Sequence, residues 1–222
     1  VVARGNDRTD RTPEDPGALK TFSYRDGVLT NEATIAPNGG YGFGPRHLDF
    51  HPTQPWVYVS LERENKMQAF KIEGDTLARE PMYSKETLAN PGTILSRQYA
   101  STVHVHPNGR FVYGANRADT TTEVEGRRVF IGGENTLVVY SINPSTGEPT
   151  PIQHIETRGI HCRTFHIDPS GRMLVAAHNV PVLVRDGSQV TTVPACLSVF
   201  RIGPDGRLDF ARKYDVDTRD RI

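Results

Sequence analysis

The sequence predicts an all-β fold, a β-propeller of four-stranded antiparallel blades, and three observations support this prediction. Aromatic and β-branched residues occur in short clusters between turns, with 20 glycines and 16 prolines in 222 residues, a pattern typical of many short strands. Long helical periodicity is missing, and the best helix candidate, residues 84–90, is shorter than two turns and precedes Pro91. The third observation is an internal repeat.

Three segments of the chain align without gaps over their first halves. Each begins with a strand that ends in proline, and the three read 46–52 (RHLDFHP), 101–107 (STVHVHP) and 163–169 (RTFHIDP). The three prolines stand 55 and 62 residues apart. A second strand follows, then a third that ends in an aromatic residue, and then a polar turn and a fourth stretch. Each repeat therefore predicts four strands, A to D, which form one propeller blade.

The repeats divide the chain into blades at residues 1–40 (strands B, C and D only), 41–97, 98–157 and 158–222. Two insertions, 118–133 and 181–193, fall between strands B and C. We expect the first to cover or reshape a pocket, because it directly follows Arg117. We expect one propeller domain over residues 1–222. An open arc of three blades and most of a fourth leaves sheet faces uncovered, so we expect the C-terminal portion of a longer propeller. A four-bladed ring closed by strand exchange is the alternative.

Charge and composition argue against several classes of protein. The 26 basic and 26 acidic side chains cancel, whereas nucleic-acid binders usually carry a basic excess. No apolar run approaches the roughly 20 residues that cross a bilayer, and the first ten residues lack the apolar region of a secretory signal. We therefore expect a cytoplasmic protein without nucleic-acid or membrane partners. The two cysteines and the absence of paired ligand motifs predict buried thiols, no metal and no cofactor.

The repeat register places charged residues at one rim of the propeller. In a four-stranded meander, the start of strand A and the end of strand B lie at the same end of the blade. The strand-A starts are Arg46, Ser101 and Arg163, the strand-B ends are Glu62, Arg117 and Asn179, and His47 follows Arg46. Three arginines, a histidine and a carboxylate at one opening predict binding of a small anion, because arginine forks bind carboxylate and phosphate. Alternation along strand A also directs Asp49, His104 and His166 toward the channel wall, where hydrogen bonding is favoured over catalysis.

Ordered motifs resemble the lactonase family of propellers, which includes 6-phosphogluconolactonases and carboxymuconate cyclases. The motifs are 44–47 (GPRH), 50–52 (FHP), 58–62 (YVSLE), 104–110 (HVHPNGR), 116–117 (NR), 168–172 (DPSGR) and 198–206 (SVFRIGPDG). The resemblance covers nearly the whole chain except the insertions and the polar stretch 6–16. Members of this family have seven blades, so the resemblance implies that about three N-terminal blades are absent. One departure is Leu61, where the family commonly has asparagine before the glutamate.

The resemblance implies a lactonase that hydrolyses a sugar-acid lactone or, alternatively, a carboxy-cis,cis-muconate cyclase. The catalytic candidates are His47, Glu62, Arg117 and Arg163, with Glu62 or His47 as general base and the two arginines holding the anion and the developing charge. The substrate-binding candidates are Arg46, His104, Asn116, His166 and Asn179. No G-x-S-x-G nucleophile motif is present. A hypothesis of another class is a non-catalytic propeller that binds a protein through its rim.

Overall fold

The computed structural model describes residues 1–94 and 97–218, and their strands form four radial blades and one additional sheet. Blade 1 contains β1 (Val2–Ala3), β2 (Ala18–Arg25) and β3 (Val28–Ile35). Blade 2 contains β4 (Pro45–Phe50), β5 (Trp56–Leu61), β6 (Lys66–Glu73), β7 (Thr76–Leu77) and β8 (Tyr83–Glu86). A short 3₁₀ segment, Pro37–Gly40, joins these two blades.

The remaining strands belong to two further blades and to a sheet made of the two insertions. Blade 3 contains β9 (Gln98–Val105) and β10 (Phe111–Ala118), followed after the insertion by β13 (Thr136–Ile142) and β14 (Pro149–Glu156). Blade 4 contains β15 (Cys162–Ile167), β16 (Met173–His178), β19 (Cys196–Ile202) and β20 (Leu208–Asp215). The insertion strands are β11 (Thr121–Val124), β12 (Arg127–Phe130), β17 (Val182–Asp186) and β18 (Gln189–Val193).

The predicted fold class is confirmed, because neighbouring strands in each blade pair antiparallel in the order A to D. Blade 1 has the three strands B, C and D that the sequence predicts. Residues 95–96, at the end of the predicted second blade, and 219–222, at the end of the fourth, lie outside the described residues. That residues 1–222 form one incomplete domain stays a prediction.

Residues 84–90, the best helix candidate in the sequence, form no helix. Strand β8 pairs with β6 as the fourth strand of blade 2, with Lys85 opposite Met67. Tyr83 packs against the apolar cluster between blades 2 and 3. Pairing and burial therefore decide the conformation of this short segment, since helix propensity over so few residues is a weak preference.

Blades 2 and 3 each pack their two faces against different neighbours, because successive side chains of a strand point to opposite sides. In β5, Val57 and Val59 face the cluster shared with blade 1, whereas Trp56 and Tyr58 face the cluster shared with blade 3. A third cluster, which includes Phe165, fills the space between blades 3 and 4. These inter-blade clusters hold the strands at fixed angles around a common channel.

The two insertions, residues 118–133 and 181–193, form one four-stranded sheet. Each is a hairpin, β11–β12 from blade 3 and β17–β18 from blade 4. The hairpins join through a parallel pairing in which Val129 lies opposite Leu183, and Val129 is buried. Blades 3 and 4 are therefore connected by backbone pairing as well as by their apolar cluster. Within the described residues, none of the helical segments has the length and hydropathy that crossing a bilayer requires.

Candidate active site

Two arginines reach the channel rim from β-bulges at the start of strand A. The β4–β5 register shifts between Pro45 and His47, which makes Arg46 the extra residue. The β15–β16 register shifts in the same way between Cys162 and Thr164, around Arg163. A bulge re-aims the side chain of its extra residue, and both arginines line the same pocket.

The ends of strand B bring the matching charges to this rim. Glu62 directly follows β5, and Arg117 is the second-last residue of β10. Arg4 follows β1, which is strand B of blade 1, and it also lines the pocket. Our sequence analysis missed Arg4, although its position after strand B matches that of Glu62 and would have identified it.

These side chains surround a pocket of about 360 Å³. The lining consists of Arg4, Arg46, Glu62, Arg97, Tyr99, Arg117, Asp119, His161 and Arg163. Five guanidinium groups and two carboxylates leave an excess of three positive charges in this small volume. The pocket therefore has the electrostatic character of an anion site.

Glu62 is the centre of the charge network. Its side chain is buried, Nε of Arg4 and Nη2 of Arg117 donate to it, and Arg46 Nη1 donates to Oε1 at 2.9 Å. Burial by itself would raise the pKa of Glu62, but the hydrogen bond from Arg4 and the charges of Arg46 and Arg117 outweigh it, so the pKa is lowered. Glu62 is consequently ionised at neutral pH, and both its oxygens accept hydrogen bonds from arginine.

The arginines retain hydrogen-bonding capacity for a ligand. The Nε atoms of Arg46 and Arg117 are buried without an acceptor among the described residues. Arg163 forms no ion pair with an acidic side chain in residues 1–94 and 97–218. Burial and the neighbouring charge of Arg117 lower the pKa of Arg46 to about 10. An incoming anion would relieve this repulsion and supply the missing acceptors.

A histidine and a carboxylate complete the pocket wall on the blade 4 side. His161 Nδ1 lies 3.3 Å from Oδ2 of Asp119, and His161 Nε2 lies 3.4 Å from Nη1 of Arg117. Burial, followed by the charge of Arg117, lowers the pKa of His161 to about 4. The imidazole is therefore neutral at physiological pH and adjoins the arginines.

The structure brings together only some of the predicted site residues. Arg46, Glu62, Arg117 and Arg163 line the pocket; His47, His104, Asn116, His166 and Asn179 do not. His104 and His166 stand edge to face in the channel with ring centroids 5.2 Å apart, and His104 Nδ1 is 3.2 Å from Asp49. His47 is partly buried beside Arg46, which together with burial lowers its pKa to about 4.

Asn116 and Asn179 take different positions. Asn116 is fully buried and donates to the Thr87 carbonyl at 2.6 Å and to Thr136 Oγ1 at 3.0 Å. Its amide thereby ties the middle of blade 3 to the loop after β8. Asn179 is exposed beyond the end of β16. Among the described residues, no three potential metal ligands lie close enough together to hold an ion.

The pocket residues that the sequence analysis did not assign are Arg4, Arg97, Tyr99, Asp119 and His161. Asp119 stands two residues beyond Arg117 at the start of an insertion, and His161 precedes β15. The sequence analysis placed His161 at no defined site because loops outside the repeat register carry no positional signal. The distance between Asp119 and His161 depends on how the loop before β15 packs onto the end of β10.

A family model described as "Lactonase, 7-bladed beta-propeller" matches residues 18–188. The chain is 31% identical to a 6-phosphogluconolactonase of Bacillus subtilis over 189 residues, which are 82% of this chain and 48% of that protein. It is 32% identical to a 6-phosphogluconolactonase of Formosa agariphila over 152 residues, 65% of this chain and 37% of that protein. The chain thus spans about half or less of the length of these curated relatives.

Solved structures show the same fold. A putative 6-phosphogluconolactonase from Bacteroides uniformis superposes with a TM-score of 0.66 at 22% identity, covering 90% of this chain and 49% of that one. A periplasmic gluconolactonase from Pseudomonas aeruginosa superposes with a TM-score of 0.62 at 21% identity, covering 91% and 50%. Since the family model matches well over half of its residues, the chain belongs to the lactonase family of seven-bladed β-propellers.

Proposed function

We propose that this chain carries the anion-binding part of a lactonase active site that hydrolyses a sugar-acid lactone with an anionic substituent. The observation that carries the proposal is the excess of three positive charges around a buried carboxylate, with arginine N–H groups that lack acceptors among the described residues. The relatives named 6-phosphogluconolactonase make a phosphorylated aldonic lactone the first substrate to test. A cytoplasmic location fits such a substrate and remains a prediction.

The arginines divide the work of binding and catalysis in this proposal. Arg46 and Arg117, fixed by Glu62, hold the anionic group of the substrate. Arg163, which is exposed to the pocket, stabilises the oxyanion that forms when water attacks the lactone carbonyl. Glu62 itself acts by ordering the arginines, because its lowered pKa and its hydrogen bonds leave it a weak base.

The same arrangement suits a muconate cyclase, whose polycarboxylate substrate would bind the same arginines. The relatives named 6-phosphogluconolactonase favour hydrolysis over cyclisation. Assays with a carboxymuconate and with lactones on one preparation would separate the two reactions. A propeller that binds only a protein partner would turn over neither substrate.

The test is pH-stat hydrolysis of 6-phosphoglucono-δ-lactone, corrected for spontaneous opening. We expect Arg117→Ala and Arg163→Ala each to lower kcat/KM by about 100-fold or more, since each removes a charged donor to the substrate or oxyanion. Arg201→Ala is the matched control, because Arg201 is exposed on β19 and does not line the pocket. Full activity in both folded pocket variants would contradict the site assignment, and no turnover of any lactone by the wild type would contradict the activity.

A further inference from the structure

We propose that His161, with the carboxylate of Asp119 beside it, is the general base that activates water in the lactone hydrolysis, an inference that rests on the proposed function. The pair lines the arginine pocket. The side chain of His161 is 15% exposed and that of Asp119 is 28% exposed, so both are shielded yet accessible from the pocket. Neither residue lies in the aligned repeat, and the pair exists only through the packing of blade 4 against blade 3.

The backbone of His161 is held in an unusual conformation. Its φ is +60°, a region that non-glycine residues occupy uncommonly and that often accompanies functional sites. The backbone N–H of His161 donates to Oδ1 of Asn135 at 2.7 Å. The same oxygen accepts the backbone N–H of Ala118 at 3.2 Å. Asn135 therefore fixes His161 relative to the strand that carries Arg117.

The surroundings of the imidazole determine which nitrogen can accept a proton. Nε2 accepts from Arg117, so the lone pair lies on Nε2 and the proton lies on Nδ1. Nδ1 is 3.3 Å from Oδ2 of Asp119 but outside hydrogen-bonding geometry, so Asp119 acts on the ring through its charge. Nε2 lies 3.4 Å from Arg117 Nη1, at the longer limit of a hydrogen bond. When a substrate anion engages Arg117, this weak contact is released and Nε2 is free to bind water. A neutral imidazole with a lone pair on Nε2 and a carboxylate nearby can act as a base and is stabilised once it is protonated.

The other candidate bases fit this role less well. Both oxygens of Glu62 accept from arginines. His47 lies outside the pocket lining. His161 is neutral because burial and the charges of Arg117, Arg163 and Arg46 outweigh the opposing charge of Asp119. A neutral imidazole is the form that accepts a proton.

The reaction balances with water as the only co-reactant. Nε2 accepts a proton as the water oxygen forms a bond to the lactone carbonyl carbon, and the carbonyl oxygen becomes an oxyanion near Arg163. The bond between this carbon and the ring oxygen then breaks. The imidazolium returns its proton to the leaving ring oxygen, which gives the open-chain hydroxy acid and restores His161.

The decisive variant is His161→Asn, because asparagine tolerates a positive φ better than most residues do and cannot act as a base. We expect kcat for 6-phosphoglucono-δ-lactone to fall about 10²- to 10³-fold, with KM within about threefold. Asp119→Asn should lower kcat about 10- to 100-fold, because it removes the negative charge beside the imidazolium that forms in the reaction. The matched control is Arg158→Asn, an exposed residue of the same loop with φ of +63°, which should keep kcat within about twofold.

A pH profile separates a base from a structural residue. The charged and titratable groups near the ring are Arg46, Arg117, Asp119, Arg163 and His178. For glucono-δ-lactone, which carries no titrating group, wild-type kcat/KM should be constant above about pH 5 and fall as pH drops through about 4, where His161 becomes protonated. The residual rate of His161→Asn should lack this acid limb.

The outcomes distinguish failure of the base assignment from failure of the proposed function. Thermal unfolding and inorganic phosphate binding, measured by calorimetry, establish that each variant is folded with an intact arginine site. If the wild type hydrolyses lactone and the folded His161→Asn variant keeps its kcat, or changes only in having a raised KM, the assignment of His161 is wrong while the function stands. If the wild type hydrolyses no lactone although it binds phosphate, the proposed function fails and the base role fails with it.

Discussion

The two rims of this propeller are formed by the same repeats, yet one repeats its side chains and the other does not. At the rim of the A–B and C–D turns, which we call the turn rim, blades 2 and 3 each contact the next blade through the same contacts. His51 Nε2 donates to the Gly109 carbonyl at 2.9 Å, and His106 Nε2 donates to the Gly171 carbonyl at 2.8 Å. In both histidines Nδ1 accepts N–H groups of its own turn, which places the proton on Nε2.

The aromatic contacts of the turn rim repeat as well. Tyr58 donates its hydroxyl to the Gly147 carbonyl at 2.9 Å, and Tyr113 donates to the Gly206 carbonyl at 2.8 Å. At the opposite rim, equivalent positions differ between repeats. The strand-A starts are Arg46, Ser101 and Arg163, and the strand-B ends are Arg4, Glu62, Arg117 and Asn179. Positions that repeat hold blades together, whereas positions that differ build the pocket.

Blade 4 departs from the repeat at the turn rim. Asp168 replaces the histidine and accepts N–H groups of its own turn, from Arg172 at 2.8 Å and Met173 at 2.7 Å. Val175 stands where blades 2 and 3 have tyrosine. Blade 4 therefore lacks the side chains with which the two preceding blades bind their neighbours, and its turn is stabilised internally.

The largest effect on stability is expected at the pocket rim. Glu62→Gln removes a buried negative charge from three arginines, and breaking such a buried network typically costs about 3–5 kcal/mol. Urea unfolding should show this loss, whereas Glu73→Gln, an exposed side chain in a 3.9 Å pair with Lys71, should change the free energy by less than about 0.5 kcal/mol. Equal effects would mean that Glu62 does not organise the arginines.

In the Glu62→Gln variant, the free energy of unfolding should decrease less on acidification than it does in the wild type. The folded-state pKa of Glu62 lies below its ordinary value of 4.5. Its stabilising contribution is therefore complete above about pH 4.5 and is lost as pH falls through the lowered pKa. The difference in unfolding free energy between wild type and Glu62→Gln should shrink on acidification through this range, and a constant difference would contradict the ionised network.

A smaller loss is expected from crowding the turn rim. Gly147 has φ of +76°, and a Cβ there would lie 2.6 Å from the ring of Trp56. Gly147→Ala should lower the free energy of unfolding by about 2–4 kcal/mol, because overpacking adds to backbone strain. Gly187→Ala is the matched control, with φ of +59° and open space around its Cβ, and should cost about 1 kcal/mol. Similar losses would show that the aromatic contact is unimportant.

The smallest predicted effect tests whether the repeated contacts are equivalent. Tyr58→Phe and Tyr113→Phe each leave a glycine carbonyl without its donor and should cost about 1–2 kcal/mol. The two values should agree, since the two hydrogen bonds are alike in length and burial. Tyr24→Phe, at a site 70% exposed, should be neutral. Unequal losses in chemical unfolding would indicate that the two blade interfaces differ in strength.

Much of the pocket was predictable because the repeat has a fixed register. Aligning Pro52, Pro107 and Pro169 is sufficient to place Arg46 and Glu62 at one rim. Arg4 follows strand B of blade 1 as Glu62 follows strand B of blade 2. The sequence gives no comparable signal for His161 and Asp119. They lie in segments of irregular length outside the alignment, so their separation depends on the path of two loops rather than on strand geometry.

The sequence by itself determined the all-β blade architecture, because strand alternation and turn chemistry are local properties. It also predicted the rim at which the arginines meet. Only the tertiary structure decided that the two insertions pair into one sheet through Val129 and Leu183. It also decided that residues 83–86 form a strand and that His161 faces Asp119. Each of these depends on contacts between residues distant in the chain, which local sequence patterns do not encode.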